Sequence, residues 1–300
     1  MTSVHFSAVR QPESLFFNIN GLRLHTVHWQ GNGQINVLLL HGWMDCAHNF
    51  QLLADALPLE WNVYAPDWRG CGLSEHQTHG HYDRGMMLAD LAQIIDIISP
   101  DSPMPILGHS LGGMLAAHYA AAFPERVQNL ILAEAFGLND GDLNDVALRL
   151  RRFIQAVSKP KSWHDLGSLE AVAQKYQSRN PLLSMAQARF FAEQLTMRSV
   201  SGSLIYKADI KHTIAQPVPY RLALAYAQWQ QIRVPILWVE GGLLPHNFYL
   251  RQIQDSLDTR YQALGNPLRV RLAQSGHMLH WEAPQELAEA AAAFWRQQNH

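Results

Sequence analysis

The spacing of apolar residues changes several times along the chain. "LFFNINGLRLHTVHW" (15–29) alternates apolar and polar positions around Asn20-Gly21 and predicts a β-hairpin with a two-residue turn. Short apolar runs follow: "NVLLL" (36–40), "NVYAP" (62–66), "PILG" (105–108), "VQNLILAE" (127–134), "PILWVE" (235–240) and "LRVRLA" (268–273). Each is strand-length and continuous, as in parallel strands buried on both faces. "FQLLADALP", "MMLADLAQIIDII" and "LGGMLAAHYAAAF" lie between them with helical spacing. The alternation predicts an α/β fold, a mostly parallel sheet flanked by helices on both faces.

The pattern stops after residue 137. From 138 to 230 the apolar positions read as helices only, in "DVALRLRRFIQAV", "LEAVAQKYQ", "MAQARFFAEQL" and "YRLALAYAQWQQI". Helices interrupting a βα pattern predict an inserted helical cap (138–230) over a core made of 1–137 and 231–300. Its expected place is the carboxyl edge of the sheet, where open α/β sheets bind ligands.

Chemistry enters at "GHSLGG" (108–113), between a predicted strand and a predicted helix. Gly-x-Ser-x-Gly in that setting places Ser110 on a sharp turn, its hydroxyl raised above the sheet at a helix N-terminus. A serine hydroxyl needs a base to become a nucleophile. His277, in the loop directly after "LRVRLA", is the candidate, ahead of His280 beside Trp281. Acyl transfer also needs donors for an oxyanion, and the backbone N–H groups of Trp43, after "LLLHG", and of Leu111 are the candidates. Met114, Phe136, Phe190 and Phe191 are candidates to line an acyl pocket, although aromatics at such spacing also fill cores. Asp67 in "APDWRG" is expected to tie its loop to Arg69 and neighbouring amides. Glu134 ends an apolar strand and needs a partner, because a lone buried carboxylate costs several kcal/mol.

Composition narrows the field. Of 300 residues 48% are hydrophobic and 16% charged, with a net charge of -2, which argues against nucleic acid or an anionic membrane as main partner. No apolar run reaches spanning length, and the first residues lack a signal-peptide pattern. Cys46 and Cys71 make no disulfide framework, so a cytoplasmic setting is expected. The histidines of "EHQTHGHYD" read as a solvated loop, and no metal is expected.

Together "HGW" (41–43), "DWRGCGLS" (67–74), "GHSLGG" (108–113) and "SGHMLHWEAPQELAEAAAAFW" (275–295) resemble the α/β-hydrolase superfamily, over most of the chain outside the cap and in the family's order. The nearest likeness is to capped serine hydrolases, including the serine hydrolase-like group. The resemblance implies an eight-stranded sheet, no cofactor, and a Ser-His-acid mechanism on a small-molecule acyl substrate, with Ser110 as nucleophile and His277 as base. The family's usual acid position, in the loop after "PILWVE", holds Leu244 here. Some relatives place the acid one strand earlier, which corresponds to Glu134. Glu240 is the alternative acid, with Asp140 and Asp142 further outsiders. The expected function is cleavage of a carboxylic ester or related acyl bond. The alternative is an inactive scaffold that binds a small molecule.

Overall fold

A computed structural model of the chain describes residues 6–298; residues 1–5, part of the stretch inspected for a signal peptide, lie outside them. Two strands, β1 (Glu13–Ile19) and β2 (Leu22–Trp29), pair antiparallel. Asn20 and Gly21 between them both have positive φ, 47° and 78°, as a two-residue hairpin turn of the favoured twist requires. The chain then runs through β3 (Asn36–Leu40), α1 (Gln51–Ala56), β4 (Asn62–Pro66), α2 (Arg84–Ile98), β5 (Met104–His109), α3 (Leu111–Ala122) and β6 (Val127–Ala133). An intervening segment holds α4 (Val146–Ser158), α5 (Leu169–Arg179), α6 (Met185–Leu195), the strands β7 (Thr196–Arg198) and β8 (Leu204–Tyr206), and α7 (Leu222–Trp229). The core resumes with β9 (Ile236–Gly241), α8 (Phe248–Ile253), α9 (Leu257–Ala263), β10 (Leu268–Leu272), α10 (Leu279–Glu282) and α11 (Pro284–Gln297).

Eight strands form one sheet in the order β1-β2-β4-β3-β5-β6-β9-β10. From β4 to β10 every neighbour is parallel. The two-residue period of a strand divides its side chains between two cores. Leu38 and Leu40 of β3 pack with α2, α3, α7 and α8, while Val37 and Leu39 pack with α1 and α11. Both faces are therefore dry, which explains the continuous apolar runs.

The segment 138–230 contains more than helices. The short hairpin β7–β8 pairs antiparallel, Thr196 opposite Tyr206. With α5 and α6 it builds a small core of its own around Val172, Ala173, Ala188, Ala192 and Leu204. Three-residue strands carry too little alternation to be read from sequence. Helix α7 packs on the main core, burying Ala225 and Trp229 in the cluster that holds α3.

Asp67 is fully buried but does not engage Arg69. It accepts from His25 Nδ1 at 2.7 Å and from the N–H groups of Ala47 and Leu73 at 2.7 and 2.8 Å. Arg69 turns the other way and forms two 2.6 Å bonds to Asp90 on α2. A planar guanidinium gains more from a two-pronged carboxylate contact than from a carboxylate already saturated by amides.

Candidate active site

The strand-to-helix corner between β5 and α3 holds Ser110 at φ 51°, ψ -118°, outside the regions L-residues favour. The corner closes only because three glycines let backbones touch. A Cβ on Gly108 would lie 2.3 Å from Gly113 Cα, and one on Gly112 would lie 2.2 Å from the Leu40 carbonyl oxygen. The strain is held by β5, whose neighbours on both sides are hydrogen-bonded to it.

Glu134, directly after β6, also has positive φ, 54°, and its side chain is fully buried. It is not lone. Gly241 N–H donates to Oε1 at 2.6 Å, Asn247 Nδ2 to Oε2 at 2.9 Å, and His277 Nδ1 lies 3.2 Å from Oε2. Burial pushes the carboxyl pKa up; the bond and charge of His277, then the Gly241 and Asn247 donors, pull it back. The loop after β9, where the family's acid usually stands, thus supplies an amide to Glu134 instead. Leu244 lies in that loop, in a single 3-10 turn, partly packed on the main core.

Glu240 lies in a different environment. Its carboxylate accepts from Trp238 Nε1 at 2.8 Å and from Arg269 at 2.9 to 3.2 Å. His277 is not among its partners. Asp140 caps Leu222 N–H and Asp142 caps Asn144 N–H, both at the protein surface.

His277 is tied to the serine corner through His109, whose Nε2 donates to the His277 carbonyl at 2.8 Å. Among the described residues the Ser110 hydroxyl has no hydrogen-bond partner, and His277 Nε2 is likewise free. Contacts of this kind commonly tighten only with substrate in place. His280, the competitor, is buried and bonds Asp45 Oδ2 at 3.3 Å.

The oxyanion candidates face the same corner. His41 Nδ1 donates to the Gly42 carbonyl at 2.8 Å, and His41 Nε2 accepts from Trp68 N–H at 3.1 Å. The peptide is planar and trans, so holding the Gly42 carbonyl against His41 turns the Trp43 N–H to the opposite side. A Cβ on Gly42 would come within 3.3 Å of Ser110 Cβ, which shows how closely this turn approaches the serine. Leu111 N–H is the first of α3 and has no carbonyl within the helix to bond. His41 and His109 stand in the motifs HGW and GHSLGG, but their bonds, and the part of Asn247, were not legible, because most of their partners lie far away in the chain.

Two cavities meet at Trp43. One, of about 400 Å³, includes Ser110, Leu111, Met114, Met87, Leu138 and Ile214. The other, of about 850 Å³, includes His277, Tyr249, Met278 and Trp281. Met114 shares the cavity of Ser110, whereas the three phenylalanines line neither cavity. Phe136 is fully buried, stacked on Trp238 at 3.4 Å between ring centres. Phe191 is fully buried against Trp281, and Phe190 packs on Phe6 and Phe191. The histidines near residue 80 diverge: His76 bonds the Lys207 carbonyl and His81 meets the Phe153 ring. Among the described residues no helix is long and apolar enough to cross a membrane.

A family model for the alpha/beta hydrolase fold matches residues 35–284, and the chain belongs to that family. Within it the likeness is to serine hydrolase-like proteins. The one from Mus musculus is 32% identical over 291 residues, covering 89% of this chain and 90% of the relative. The one from Danio rerio is 28% identical over 181 residues, covering 58% of this chain and only 55% of the relative. A solved thioesterase domain from the curacin biosynthetic pathway superposes with a TM-score of 0.81 at 24% identity, over 94% of this chain and 99% of that one, and so shares the fold.

Proposed function

We propose that this hydrolase cleaves a carboxylic ester or a related acyl bond of a small, largely apolar substrate through an acyl-enzyme on Ser110. The observation that carries the proposal is a strained serine corner tied to a histidine that bears a fully buried carboxylate. In this reading His277 Nε2 takes the hydroxyl proton as Ser110 Oγ bonds to the carbonyl carbon. The carbonyl π pair moves onto oxygen, which the N–H groups of Trp43 and Leu111 receive. The tetrahedral centre collapses, the bond to the leaving group breaks, and the imidazolium returns the proton to that group. Water repeats the sequence and frees the acid. Glu134 keeps the proton on Nδ1 and stabilises the imidazolium.

The segment 138–230 is proposed as the cap. Its supporting contact is at the oxyanion turn, where Trp43 Nε1 donates to the His212 carbonyl at 3.1 Å. A fluorophosphonate probe tests the nucleophile and a panel of acyl esters of graded length tests the reaction. Labelling at Ser110 with turnover is expected. The second reading, a binding scaffold without catalysis, draws on the unpartnered Ser110 hydroxyl and predicts neither labelling nor turnover.

A further inference from the structure

The cavity that holds Ser110 is lined by apolar side chains, among them Met87, Leu111 and Met114, and by two cations. Arg84, the first residue of α2, and Arg149 of α4 both line it, and both also line a second cavity of about 470 Å³ on their other side. Arg84 is largely buried, yet among the described residues its guanidinium has no hydrogen bond and no carboxylate within ion-pair distance. The centre of the Tyr220 ring lies 5.6 Å from its guanidinium carbon. The adjacent acid, Asp83, spends its carboxylate on the Gly85 and Met86 N–H groups. Arg149 uses only Nε, donating to the Gln216 carbonyl at 2.7 Å, so its two terminal NH₂ groups are free. The facing His118 is held neutral, its pKa pushed down to about 4 by burial and by Arg84 itself.

Two cations with idle donors inside a partly dry cavity are unfavourable until an anion arrives. Placement identifies which part of the substrate carries it. His277 lines the other cavity, and the leaving group departs on the side of the residue that protonates it. The cavity that Ser110, Arg84 and Arg149 line therefore holds the acyl part. We infer that the acyl chain carries a carboxylate at its far end, so that the substrate is a half-ester or half-thioester of a dicarboxylic acid, gripped by Arg84 and Arg149. A planar guanidinium presents two parallel donors that match a carboxylate. This rests on the acyl-transfer reading given above.

The test compares p-nitrophenyl hexanoate with the mono-p-nitrophenyl ester of hexanedioic acid, in the unaltered protein, Arg84→Met and Arg149→Met. The carboxylated ester should have a kcat/KM at least tenfold higher, and Arg84→Met should cut that ratio at least tenfold, mainly through KM. Binding of hexanedioate, followed by calorimetry and thermal shift, gives a readout independent of catalysis. It should raise the Tm of the unaltered protein and not that of Arg84→Met, which should itself be no less stable than the parent. Preference for the plain ester, or a ratio that Arg84→Met leaves unmoved, overturns the carboxylate site while acyl transfer stands. If neither ester turns over but hexanedioate binds in an Arg84-dependent way, the site stands and acyl transfer falls. If hexanedioate does not bind and neither ester turns over, both fall.

Discussion

Glu134 shows how one residue can be legible when its neighbours are not. A carboxylate closing an apolar strand demands a partner, so its importance is visible in eight letters of sequence. Who answers the demand is not visible, because Gly241, Asn247 and His277 lie 107, 113 and 143 residues away. Replacing Ser110 by Ala should abolish fluorophosphonate labelling and lower kcat by ~10⁶-fold, with the circular dichroism spectrum unchanged. Glu134→Gln keeps the shape and one acceptor but loses the anion, and kcat should fall by up to ~10⁴-fold. Glu240→Gln, in contrast, should leave kcat within about threefold of the parent, because its partners are Arg269 and Trp238 rather than His277. A large loss in Glu240→Gln with full activity in Glu134→Gln would reverse the two roles. Asp67 gives the opposite lesson: proximity in sequence suggested Arg69, but both side chains found better geometry elsewhere.

Among the elements, β3, β4, β5, β6 and β9 were legible because they are largely buried and so are written in mostly apolar letters, whereas β1, β2 and the largely exposed β10 are written in alternation. The intervening segment was only half legible. Helices α5 and α6 announce themselves by period, but β7 and β8 are three residues each, and α7 gives no sign that it belongs to the main core. The same ambiguity hid the fate of the phenylalanines, since an aromatic stripe looks alike whether it faces a ligand or a neighbour. Phe191 lies flat against Trp281 with ring centres 4.3 Å apart, and joins α6 to the core beside Cys46 and Leu52. Phe191→Ala should therefore cost about 3–5 kcal/mol in urea unfolding. Its effect on the relative kcat/KM of different acyl chains should be small; a marked change in chain preference without loss of stability would return Phe191 to the pocket.

At the scale of the whole molecule, the abundance of histidine becomes a pH dependence. Burial holds His48, His118 and His212 each at a pKa of about 4, against an ordinary value of 6.5. The unfolded chain takes up these protons first. Their contribution to stability is thus complete above pH 6.5 and is lost as the pH falls towards 4. Glu134 has the opposite sign: its raised pKa favours the folded state at low pH and the benefit fades as pH rises through that value. His28, His109 and His280 are shifted in the same direction as these three, so the lowered histidines outnumber the raised carboxyls, Glu134 and Glu282. The midpoint of urea unfolding should fall steadily between pH 7 and pH 4.5, and a flat or rising midpoint over that range would contradict it.

The position of Glu134 also has a consequence in time. Ser110, Glu134 and the Trp43 and Leu111 amides, the groups assigned to the proposed reaction, are all encoded by residue 134, whereas His277 follows 143 residues later. At ordinary synthesis rates that gap lasts on the order of 10 s. For that interval a ribosome carries a chain whose Ser110 lacks the histidine proposed as its base and whose Glu134 has neither the Gly241 nor the Asn247 donor to shelter it. Burying this carboxylate before those donors exist would cost free energy with nothing to offset it, which disfavours closure of the carboxyl end of β6 in that interval. On the proposed mechanism the nascent protein stays silent until the segment that carries His277 has docked.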